Sequence, residues 1–305
     1  MAAPTLFMDL TVCIVSWNVR EDLSRCLDSL RAGVGGLAHE IIVVDNASTD
    51  GSLDMVGERY PEVLIVRNDT NAGFAAANVQ GMASAHGRYV LLLNPDTLVP
   101  PGALAELVAF ADAHSTAGVI GPKLVYGDGR LQYSCRCFPT ISAALFRNTW
   151  LGALFPRARA SSCYLMEDWA HDEVRPVDWV SGACMMIRRE ALEQVGTLDT
   201  SFYWGSEDVD YCWRMHKTGW DVLYTPTPVI THFVGRSTDQ AVLRTIARTH
   251  RSMYRLYRKH LARGPVSGAL VWLGVWARAG VLTLQHGLGV LRLRLLGGTP
   301  PPAEE

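Results

Sequence analysis

Short apolar runs alternate with helix-like segments over the first hundred residues, and this alternation limits the fold more than any other feature. The apolar runs predict strands, and apolar residues recur at helical spacing between them. The predicted strands occupy residues 10–17, 40–48, 63–68 and 89–96, and the predicted helices occupy residues 20–33, 52–60 and 74–87. Strands that alternate with helices build a mostly parallel sheet covered on both faces. The sequence therefore predicts an α/β fold with helices flanking such a sheet.

Two of the predicted strands end in acidic turns, and this position favours a ligand site. One strand stops at Asp45 and Asn46, and another breaks into a turn that carries Asn94 and Asp96. In open α/β sheets, ligands bind in the crevice beyond the carboxyl ends of the strands. We expect these side chains to line one crevice. Asp and Asn are also common in turns and helix caps, so either loop alone could be an ordinary capped turn.

Composition excludes several function classes. The chain has 305 residues and a formal net charge of −2, so no overall positive field predicts a nucleic acid partner. No G-x-G-x-x-G motif opens a helix after the first strand, which excludes a dinucleotide-binding dehydrogenase. The seven cysteines are scattered and odd in number, as is typical of reduced thiols. The N-terminus lacks the basic and apolar regions of a signal peptide, so we expect a cytoplasmic protein.

Six motifs share an order and spacing with a known enzyme family. They read CIVSWN, IIVVDNASTDGS, NAGFAAANVQG, VLLLNPDT, VSGACMMIRREAL and SEDVDYCWR. Together they resemble the motifs of family 2 inverting glycosyltransferases with the GT-A fold, and most closely the rhamnosyltransferase-like subgroup. The resemblance covers residues 12–237. It implies a catalytic domain over residues 1–238, with a nucleotide-binding half at 1–100 and an acceptor and catalytic half at 101–238.

The resemblance implies a nucleotide-sugar site at the carboxyl end of the sheet. Asp45 would accept the imide N–H of uracil or thymine, a task that suits an acceptor-only carboxylate, while Ser16 and Asn18 frame the base and ribose. Gly73 would permit close backbone approach in a segment that closes over the nucleotide, although an ordinary turn would also explain it. The implied donor-binding residues are Ser16, Asn18, Asp45, Asn46, Asn71, Gly73, Asn78, Asn94, Asp96, Trp179 and Gly182.

The resemblance also implies a divalent cation, Mg²⁺ or Mn²⁺. Asp96 matches the last residue of the family's D-x-D motif, and Asn94 replaces the first. Hard cations take oxygen ligands from one or two carboxylates and from substrate phosphates, so a single aspartate suffices. His232, which follows another apolar run, resembles the histidine that completes metal coordination in such enzymes. A structural histidine at a strand end is the alternative.

A second acidic group, Glu207-Asp208, begins a predicted helix in the second half of the chain. Acidic residues also suit the first turn of any helix, so a capped surface helix is the alternative. In the resembling family, Asp208 matches the general base that takes the acceptor proton, and Glu207 supports it; swapped roles stay open. The residues expected to line the acceptor entrance are Asp199, Phe202 and Trp204.

The C-terminal part departs from the family pattern. A basic helix-like segment at residues 240–264 is followed by an apolar segment at 265–298, which Arg278 interrupts at its midpoint. Neither apolar half reaches the length of about 20 residues that spans a bilayer. We expect a helical region over residues 239–298 and a disordered tail over 299–305. The helices would bind an anionic membrane surface, or they would form a helical pair packed on the catalytic domain or across a homodimer.

These expectations combine into one functional hypothesis. The chain would transfer a hexosyl group, plausibly rhamnosyl from dTDP-rhamnose, to a cell-surface polysaccharide or lipid-linked glycan. The enzyme would lie at the inner face of the plasma membrane as a peripheral protein. A UDP-hexose donor is the alternative within the same fold. A non-catalytic, membrane-associated scaffold that binds nucleotide sugars is the alternative from another class.

Overall fold

The computed structural model describes residues 8–140, 164–233 and 242–295. The predicted tail at 299–305 lies outside these ranges. The strands are β1 Leu10–Ser16, β2 His39–Asp45, β3 Leu64–Arg67, β4 Tyr89–Leu93, β5 Thr97–Leu98, β6 Ala117–Val125, β7 Leu131–Gln132, β8 Cys135–Arg136, β9 Arg175–Pro176, β10 Trp179–Val180, β11 Cys184–Arg188 and β12 Asp221–His232. The helices are α1 Arg20–Gly33, α2 Ser52–Arg59, α3 Phe74–Ala83, α4 Ala103–Ala113, α5 Arg189–Val195, α6 Glu207–Lys217, α7 Val242–His260 and α8 Pro265–Leu295.

The central sheet has the strand order β3-β2-β1-β4-β11-β6-β12-β5. Strands β3, β2, β1 and β4 run parallel to one another, and β6 runs parallel to β12, whereas β11 is antiparallel to both of its neighbours. The register of β1 and β2 pairs Ser16 with Asp45, so the two predicted donor-binding residues end adjacent strands. The predicted α/β fold, with a mostly parallel sheet flanked by helices, is confirmed.

Burial on both faces explains why the apolar runs form central strands. Every residue of β1 and β4 is buried. Helix α1 buries Leu23, Cys26, Leu27 and Leu30 against one face, which is the stripe that its sequence predicts. Helix α3 contributes Ala75, Ala77 and Met82 to the core on the other face. Because both faces of these strands are covered, polar side chains are left at the strand ends, where the ligand crevice was expected.

Two later strands bring distant residues to the same edge of the sheet. Strand β11 starts beside the end of β4, and the Asn94 N–H donates to the Ala183 carbonyl across 2.9 Å. Strand β12 ends where His232 pairs with Thr97 in β5. The turn that carries Asp96 therefore has the 181–183 turn on one side and the end of β12 on the other. The topology gathers residues from both halves of the chain at one crevice.

The C-terminal region corrects one expectation. Arg278 does not divide the apolar segment, because α8 is one continuous helix of 31 residues. Arginine is a good helix former, so its charge interrupts the hydropathy pattern without interrupting the helix. By length and composition, the segment Pro265–Gly289 is sufficient to cross a membrane, and few of the residues in its apolar part are buried. The expectation that this segment is too short to span a bilayer is therefore wrong for the helix as a whole.

Candidate active site

Two buried polar atoms at the ends of β1 and β2 have no partner among the residues that the structure describes. They are the Ser16 Oγ and the Asp45 Oδ1. The second oxygen of Asp45 accepts the Ser48 N–H at 2.9 Å, which fixes the carboxylate in place. Buried polar groups in folded proteins almost always have hydrogen-bond partners, so this pair indicates a ligand that supplies one. A carboxylate beside a hydroxyl is suited to an N–H donor with a neighbouring carbonyl.

The loops around this pair are held by asparagine side chains. The Asn18 N–H donates to the Ser48 Oγ at 3.0 Å, and the Asn18 Oδ1 accepts the Thr49 N–H at 2.8 Å. The Asn46 Nδ2 donates to the Gly73 carbonyl at 3.3 Å, which ties the β2 end to the start of α3. The side-chain amides of Asn18 and Asn46 are therefore already bonded to other parts of the protein. Asn18 and Asn46 thus shape the crevice through its loops.

Gly73 approaches Tyr203, which belongs to the 202–204 segment that was expected at the acceptor entrance. Gly73 has a φ of 88°, and a Cβ there would lie 2.5 Å from the Tyr203 carbonyl oxygen. The same oxygen accepts the Phe74 N–H at 2.8 Å, and the Tyr203 hydroxyl donates to the Asn71 Oδ1 at 2.9 Å. The close approach observed at Gly73 is therefore made to another loop of the chain. Tyr203 joins the loop before α3 to the loop before α6.

Two other expected donor-binding residues are buried with their side-chain nitrogens occupied. Asn78 is 1% exposed, and its Nδ2 donates to the Phe74 carbonyl at 3.0 Å. Trp179 is 5% exposed, and its Nε1 donates to the Cys137 carbonyl at 2.9 Å. Arg136 lies over the Trp179 ring at 5.1 Å. Both side chains support the walls of the crevice from inside the fold.

Asp96 and His232 meet as the sequence suggests. The Asp96 Oδ1 lies 3.2 Å from the His232 Nε2, yet this buried oxygen makes no hydrogen bond within the described residues. The His232 Nδ1 lies 2.8 Å from the Gln132 Oε1. The other ring nitrogen, Nε2, faces the Asp96 carboxylate and lies 3.2 Å from the Asn94 Nδ2.

Such an arrangement fits a cation. A carboxylate oxygen and an imidazole nitrogen, both of which divalent cations accept as ligands, lie 3.2 Å apart here. Gln132 fixes the ring orientation, as partners of metal-binding histidines commonly do. Within residues 8–140, 164–233 and 242–295, no group of three or more His, Cys, Asp and Glu side chains is placed to hold a metal. Among the described residues, Asp96 and His232 are thus a candidate pair of ligands, and a hard cation held by so few protein groups takes its other ligands from solvent or from a bound molecule.

The acidic pair at the start of α6 divides into an accessible and a buried carboxylate. Asp208 is partly exposed, and its Oδ2 accepts the Gly182 N–H at 3.2 Å. Glu207 is 5% exposed, and its Oε2 has no partner among the described residues. Gly182, which was expected to bind the donor, thus contacts Asp208, the predicted base. Of the two carboxylates, Asp208 is the one that can reach a ligand.

Burial raises the pKa of both carboxyl groups. For Glu207, burial is the main cause and the neighbouring Asp208 charge adds to it, so the pKa lies well above its usual range. For Asp208, burial also raises the pKa, although the Gly182 and Val209 N–H groups and the charge of Arg136 act in the opposite direction. A carboxylate with a raised pKa is a stronger proton acceptor. Sequence reasoning missed Arg136, which no motif marks.

The expected acceptor entrance is corrected at one residue. Phe202 is completely buried in the core, so it cannot line an entrance. Asp199 pairs with Lys259 of α7 at 2.6 Å. Burial acts to raise the pKa of Asp199, but the bonds from Lys259 and Ser201 outweigh it and lower that pKa to about 2. Trp204 is 37% exposed and keeps a free aromatic surface.

Helix α7 supplies Lys259 and His260 to a polar cluster around Asp210 of α6. Asp210 is completely buried, and its Oδ2 accepts the Arg214 Nε at 3.0 Å, as the i, i+4 spacing predicts. Its Oδ1 lies 2.8 Å from the Lys259 Nζ and 2.7 Å from the His260 Nε2. The last two partners were missed, because no local spacing links residues that are about fifty positions apart. This cluster attaches the C-terminal region to the helix that starts with Glu207 and Asp208.

Comparisons with known proteins agree with this geometry. The sequence matches the model of the family described as Glycosyl transferase family 2 over residues 11–196, more than half of the chain. The chain belongs to glycosyltransferase family 2. A second model, described as Glycosyl transferase family 21, matches residues 164–296 and so includes α7 and α8 of this family 2 protein.

The relatives include sugar transferases of bacterial and archaeal glycan synthesis. The chain is 32% identical over 260 residues to the N-acetylglucosaminyl-diphospho-decaprenol L-rhamnosyltransferase of Mycobacterium tuberculosis (strain ATCC 25618 / H37Rv), with 80% of this chain and 82% of the relative covered. It is 25% identical over 217 residues to the low-salt glycan biosynthesis hexosyltransferase Agl10 of Haloferax volcanii, with 70% and 63% covered. The predicted rhamnosyltransferase-like glycosyltransferase is confirmed at the level of the family and its relatives.

Solved structures confirm the fold. The mannosyltransferase PcManGT from Pyrobaculum calidifontis, in complex with GDP-Man and Mn²⁺, superposes with a TM-score of 0.56 at 19% identity, covering 94% of this chain and 82% of that one. Residues 1–349 of S. aureus TarS superpose with a TM-score of 0.53 at 13% identity, covering 88% and 71%. The GT-A fold predicted for this family 2 glycosyltransferase is therefore observed.

Proposed function

We propose that this glycosyltransferase moves a rhamnosyl group from dTDP-rhamnose to a lipid-linked glycan with inversion at the anomeric carbon. One observation carries the proposal. Buried oxygens of Ser16, Asp45 and Asp96 lie at the carboxyl edge of one sheet without hydrogen-bond partners among the described residues. A nucleotide sugar offers the matching groups, since it carries an imide donor at one end and a diphosphate that recruits a cation at the other. The 32% identical rhamnosyltransferase supports the choice of sugar.

The donor would lie along the crevice from β2 toward β4. Asp45 accepts the thymine imide N–H, and the Ser16 hydroxyl pairs with a neighbouring carbonyl of the base. Asn71 and Gly73 hold the covering loop through Tyr203, and the 181–183 turn lies under the sugar. This arrangement accepts uracil as readily as thymine, because both carry the same imide. Residues 1–238 form the catalytic domain in this proposal, and residues 239–298 form the region that attaches to it.

Asp96 and His232 would hold a divalent cation, with Asn94 and Gln132 positioning the histidine. When bound, the cation neutralises the negative charge that develops on the departing diphosphate. The mannosyltransferase from Pyrobaculum calidifontis, whose structure contains GDP-Man and Mn²⁺, supports a cation in this fold. Through that cation, Asp96 would orient the diphosphate relative to the sugar. Either Mg²⁺ or Mn²⁺ fits a site with one carboxylate, one imidazole and substrate oxygens.

Asp208 acts as the general base of the transfer. Its carboxylate takes the proton of the acceptor hydroxyl while that oxygen forms a bond to the anomeric carbon. The bond between the anomeric carbon and the diphosphate oxygen breaks on the opposite face, and the nucleoside diphosphate leaves with the electron pair. Such an inverting displacement needs one base and no covalent intermediate. The Gly182 N–H holds the carboxylate toward the acceptor, and Glu207 supports the turn from within the fold.

The acceptor would be a glycan on a lipid carrier at the cytoplasmic membrane face, to which the enzyme binds peripherally. The name of the Mycobacterium tuberculosis relative specifies a diphospho-decaprenol carrier, which supports this acceptor class. Trp204 presents an exposed ring beside the catalytic helix, and aromatic faces stack well on sugar rings. Asp199 acts indirectly, because Lys259 binds its carboxylate.

A panel of nucleotide sugars tests the proposal. Melting temperature is measured with dTDP-rhamnose, UDP-glucose, UDP-galactose, UDP-N-acetylglucosamine and GDP-mannose, each with Mg²⁺, with Mn²⁺ and with chelator. We expect a cation-dependent rise with dTDP-rhamnose, since a ligand that binds only the folded state stabilises it by mass action. Asp96→Asn should abolish the cation dependence. Glu193→Gln, which changes an exposed carboxylate on α5 in the same way, should preserve it.

The other outcomes are equally informative. A rise with a UDP sugar alone would keep the mechanism and replace the rhamnosyl donor. A rise with dTDP-rhamnose but no transfer to a polyprenyl-diphosphate glycan would indicate a scaffold that binds donors without turnover. No rise with any donor would refute the nucleotide-sugar site itself.

A further inference from the structure

The basic side chains of helix α7 fall into two stripes, and the two stripes have different surroundings. The first stripe, which we call the domain stripe, follows the helical spacing 248, 252, 255 and 259 and faces the catalytic domain. Arg248 lies over the Tyr203 ring at 4.0 Å, and the Ser252 Oγ donates to the Trp204 carbonyl at 3.1 Å. Arg255 donates to the Ser201 carbonyl, and Lys259 binds Asp199 and Asp210. The side chains of the domain stripe therefore hold α7 to the loop before α6 and to α6 itself.

The second stripe, which we call the outer stripe, consists of Arg251, Tyr254 and Arg258. These residues are spaced three and four apart, so they share a face of α7. Both arginines are exposed. Within the residues described, neither guanidinium makes a hydrogen bond or an ion pair. The outer stripe therefore presents cations that the protein leaves available, and no acidic residue occurs anywhere between residues 242 and 295 to neutralise them.

The outer stripe borders a groove between α7 and α8. The groove has a volume of about 510 Å³, and it is lined by Tyr254, Arg258, Pro265, Gly268, Ala269, Trp272 and Leu273. Beyond it, α8 exposes large apolar side chains to solvent: Val266, Leu270, Trp272, Leu273, Leu284 and Leu288. Val266 and Leu270 are 74% and 65% exposed. Contiguous apolar surface of this extent, next to unpaired cations, marks a binding surface.

We propose that the outer stripe and the apolar face of α8 bind the surface of an anionic phospholipid bilayer. Lipid phosphates pair with Arg251 and Arg258, and the side chains of Val266, Leu270 and Leu273, which share one face of α8, enter the acyl region below the headgroups. Trp272, which lines the groove beside Arg258, lies at the level of the headgroups. Arginine recognises phosphate through several donors at once, and tryptophan favours the boundary between headgroups and acyl chains. The inference deepens the proposed function, since it identifies the surface that would bring the enzyme to a lipid-linked acceptor.

The contacts of α8 favour a helix that lies in the membrane surface over one that crosses the bilayer. The Arg278 Nη1, at the middle of α8, donates to the His250 Nε2 of α7 at 2.7 Å. His250 is 1% exposed, and the domain stripe binds α7 to the catalytic domain. The centre of α8 is thus tied to the catalytic domain through one helix. Moving that centre to the bilayer midplane would break this bond or pull α7 into the acyl region, where its charges are costly.

Charge also disfavours a second copy of the chain as the occupant of this face. A twofold contact brings the same patch of both copies together. Here it would bring two outer stripes into one interface that holds no acidic side chain of α7 or α8. Like charges opposed in this way are unfavourable, whereas an anionic bilayer is complementary to them.

Vesicle binding by the full chain tests the inference. Cosedimentation is measured with phosphatidylcholine vesicles and with vesicles that contain about one third phosphatidylglycerol. We expect binding that depends on phosphatidylglycerol, and the double variant Arg251→Gln and Arg258→Gln should bind about 30-fold more weakly, at about fivefold per cation near an anionic surface. The control Arg31→Gln and Arg130→Gln removes two exposed charges from the catalytic domain and should bind as wild type does.

A second variant tests whether the apolar face of α8 contributes to vesicle binding. Leu270→Ser and Leu273→Ser change exposed side chains, so the fold should persist, and vesicle binding should fall at equal charge. Equal binding to both vesicle types, or equal loss in the control, would overturn the inference. A stable dimer by light scattering without lipid, which the serine variant converts to monomer, would replace the bilayer with a second copy. These measurements need neither donor nor acceptor, so they fail independently of the proposed sugar transfer.

Discussion

The two ends of the crevice hold their carboxylates in different ways. At the nucleotide end, Asp45 is fixed by the N–H of Ser48, three residues later in the chain. At the reaction end, Asp208 is fixed by the N–H of Gly182, 26 residues earlier, and the helix behind it is held by Lys259 and His260. The first end is built by a strand and its own turn. The second depends on contacts between parts of the chain that are far apart.

This difference predicts separable defects. Changes at the nucleotide end should weaken donor binding and leave the chemical step intact, because the loop there is locally determined. Changes at the reaction end should reduce turnover while donor binding persists. Variants in the C-terminal helices should resemble the second class, since α7 contacts the helix that carries the base.

The largest expected effect comes from Asp208→Asn. An amide cannot accept the acceptor proton, so kcat should fall by about 10²–10⁴-fold, the usual contribution of a general base. Donor-dependent thermal protection should stay at the wild-type level, because Asp208 binds no group of the nucleotide in the proposed arrangement. Single-turnover transfer measured with saturating donor gives the rate.

Glu207→Gln serves as the matched variant, because it changes the neighbouring carboxylate to the same amide. It should retain most of the turnover. If Glu207→Gln lost as much rate as Asp208→Asn, the roles of the two residues would have to be exchanged. A loss in neither variant would remove the general base from this pair.

The next effect is expected at the other end of the crevice, for Asp45→Asn. A hydrogen bond to a buried carboxylate is worth about 1.5–3 kcal/mol, so the dTDP dissociation constant should rise by about 10- to 150-fold. The new amide can donate to the N3 acceptor of cytosine, so the variant should also improve relative binding of CDP. Calorimetric titration of dTDP and CDP measures both. Unchanged dTDP affinity would show that Asp45 does not contact the base.

Sequence reasoning correctly placed Asp45 and Asp96 at the ends of two buried strands of one sheet, for a physical reason. An apolar run that ends abruptly in Asp and Asn specifies a buried strand and the polar turn after it. The parallel register then places Ser16 beside Asp45. Asp96 and His232 were expected together only from the family resemblance, and they lie 3.2 Å apart because Asp96 follows β4 and His232 ends β12 at the same edge of the sheet. In each case, local pattern and topology together determine the neighbours.

The same reasoning failed where tertiary packing decides. Phe202 was expected at the entrance, yet it is buried, because an aromatic ring near a catalytic motif packs into the core as readily as it lines a cleft. Lys259 belongs to a run of cations that were expected to face lipid, yet it binds Asp199 and Asp210. Amphipathic periodicity identifies a cationic face, but the acidic partner that occupies it lies elsewhere in the chain.

Lys259→Met tests whether α7 supports the reaction end. The substitution keeps an unbranched side chain of similar length and removes one of the two cations, Lys259 and Arg214, that bind Asp210, so the free energy of unfolding should fall by about 1–2 kcal/mol. For a chain of this size the melting temperature should drop by about 2–6 °C. We expect a severalfold loss of kcat with an unchanged dissociation constant for donor. Arg130→Met, which removes an exposed charge paired with Asp128, is the control and should change neither quantity.

The smallest expected effect is on the way in which stability depends on pH. Burial raises the pKa of Glu207 well above its ordinary value near 4.5, so between that value and the folded-state pKa the folded protein binds more protons than the unfolded chain. Stability contributed at this position is therefore complete at low pH and declines as pH rises through that window.

Glu207→Gln removes the titration of this carboxyl group. Its melting temperature should match that of wild type near pH 4 and exceed it increasingly toward pH 8. Asp199 offers the contrast: burial acts to raise its pKa, but the bonds from Lys259 and Ser201 lower that pKa to about 2, so Asp199→Asn should instead lower the melting temperature toward neutral pH. A gain in both variants would indicate a general effect of lowering negative charge.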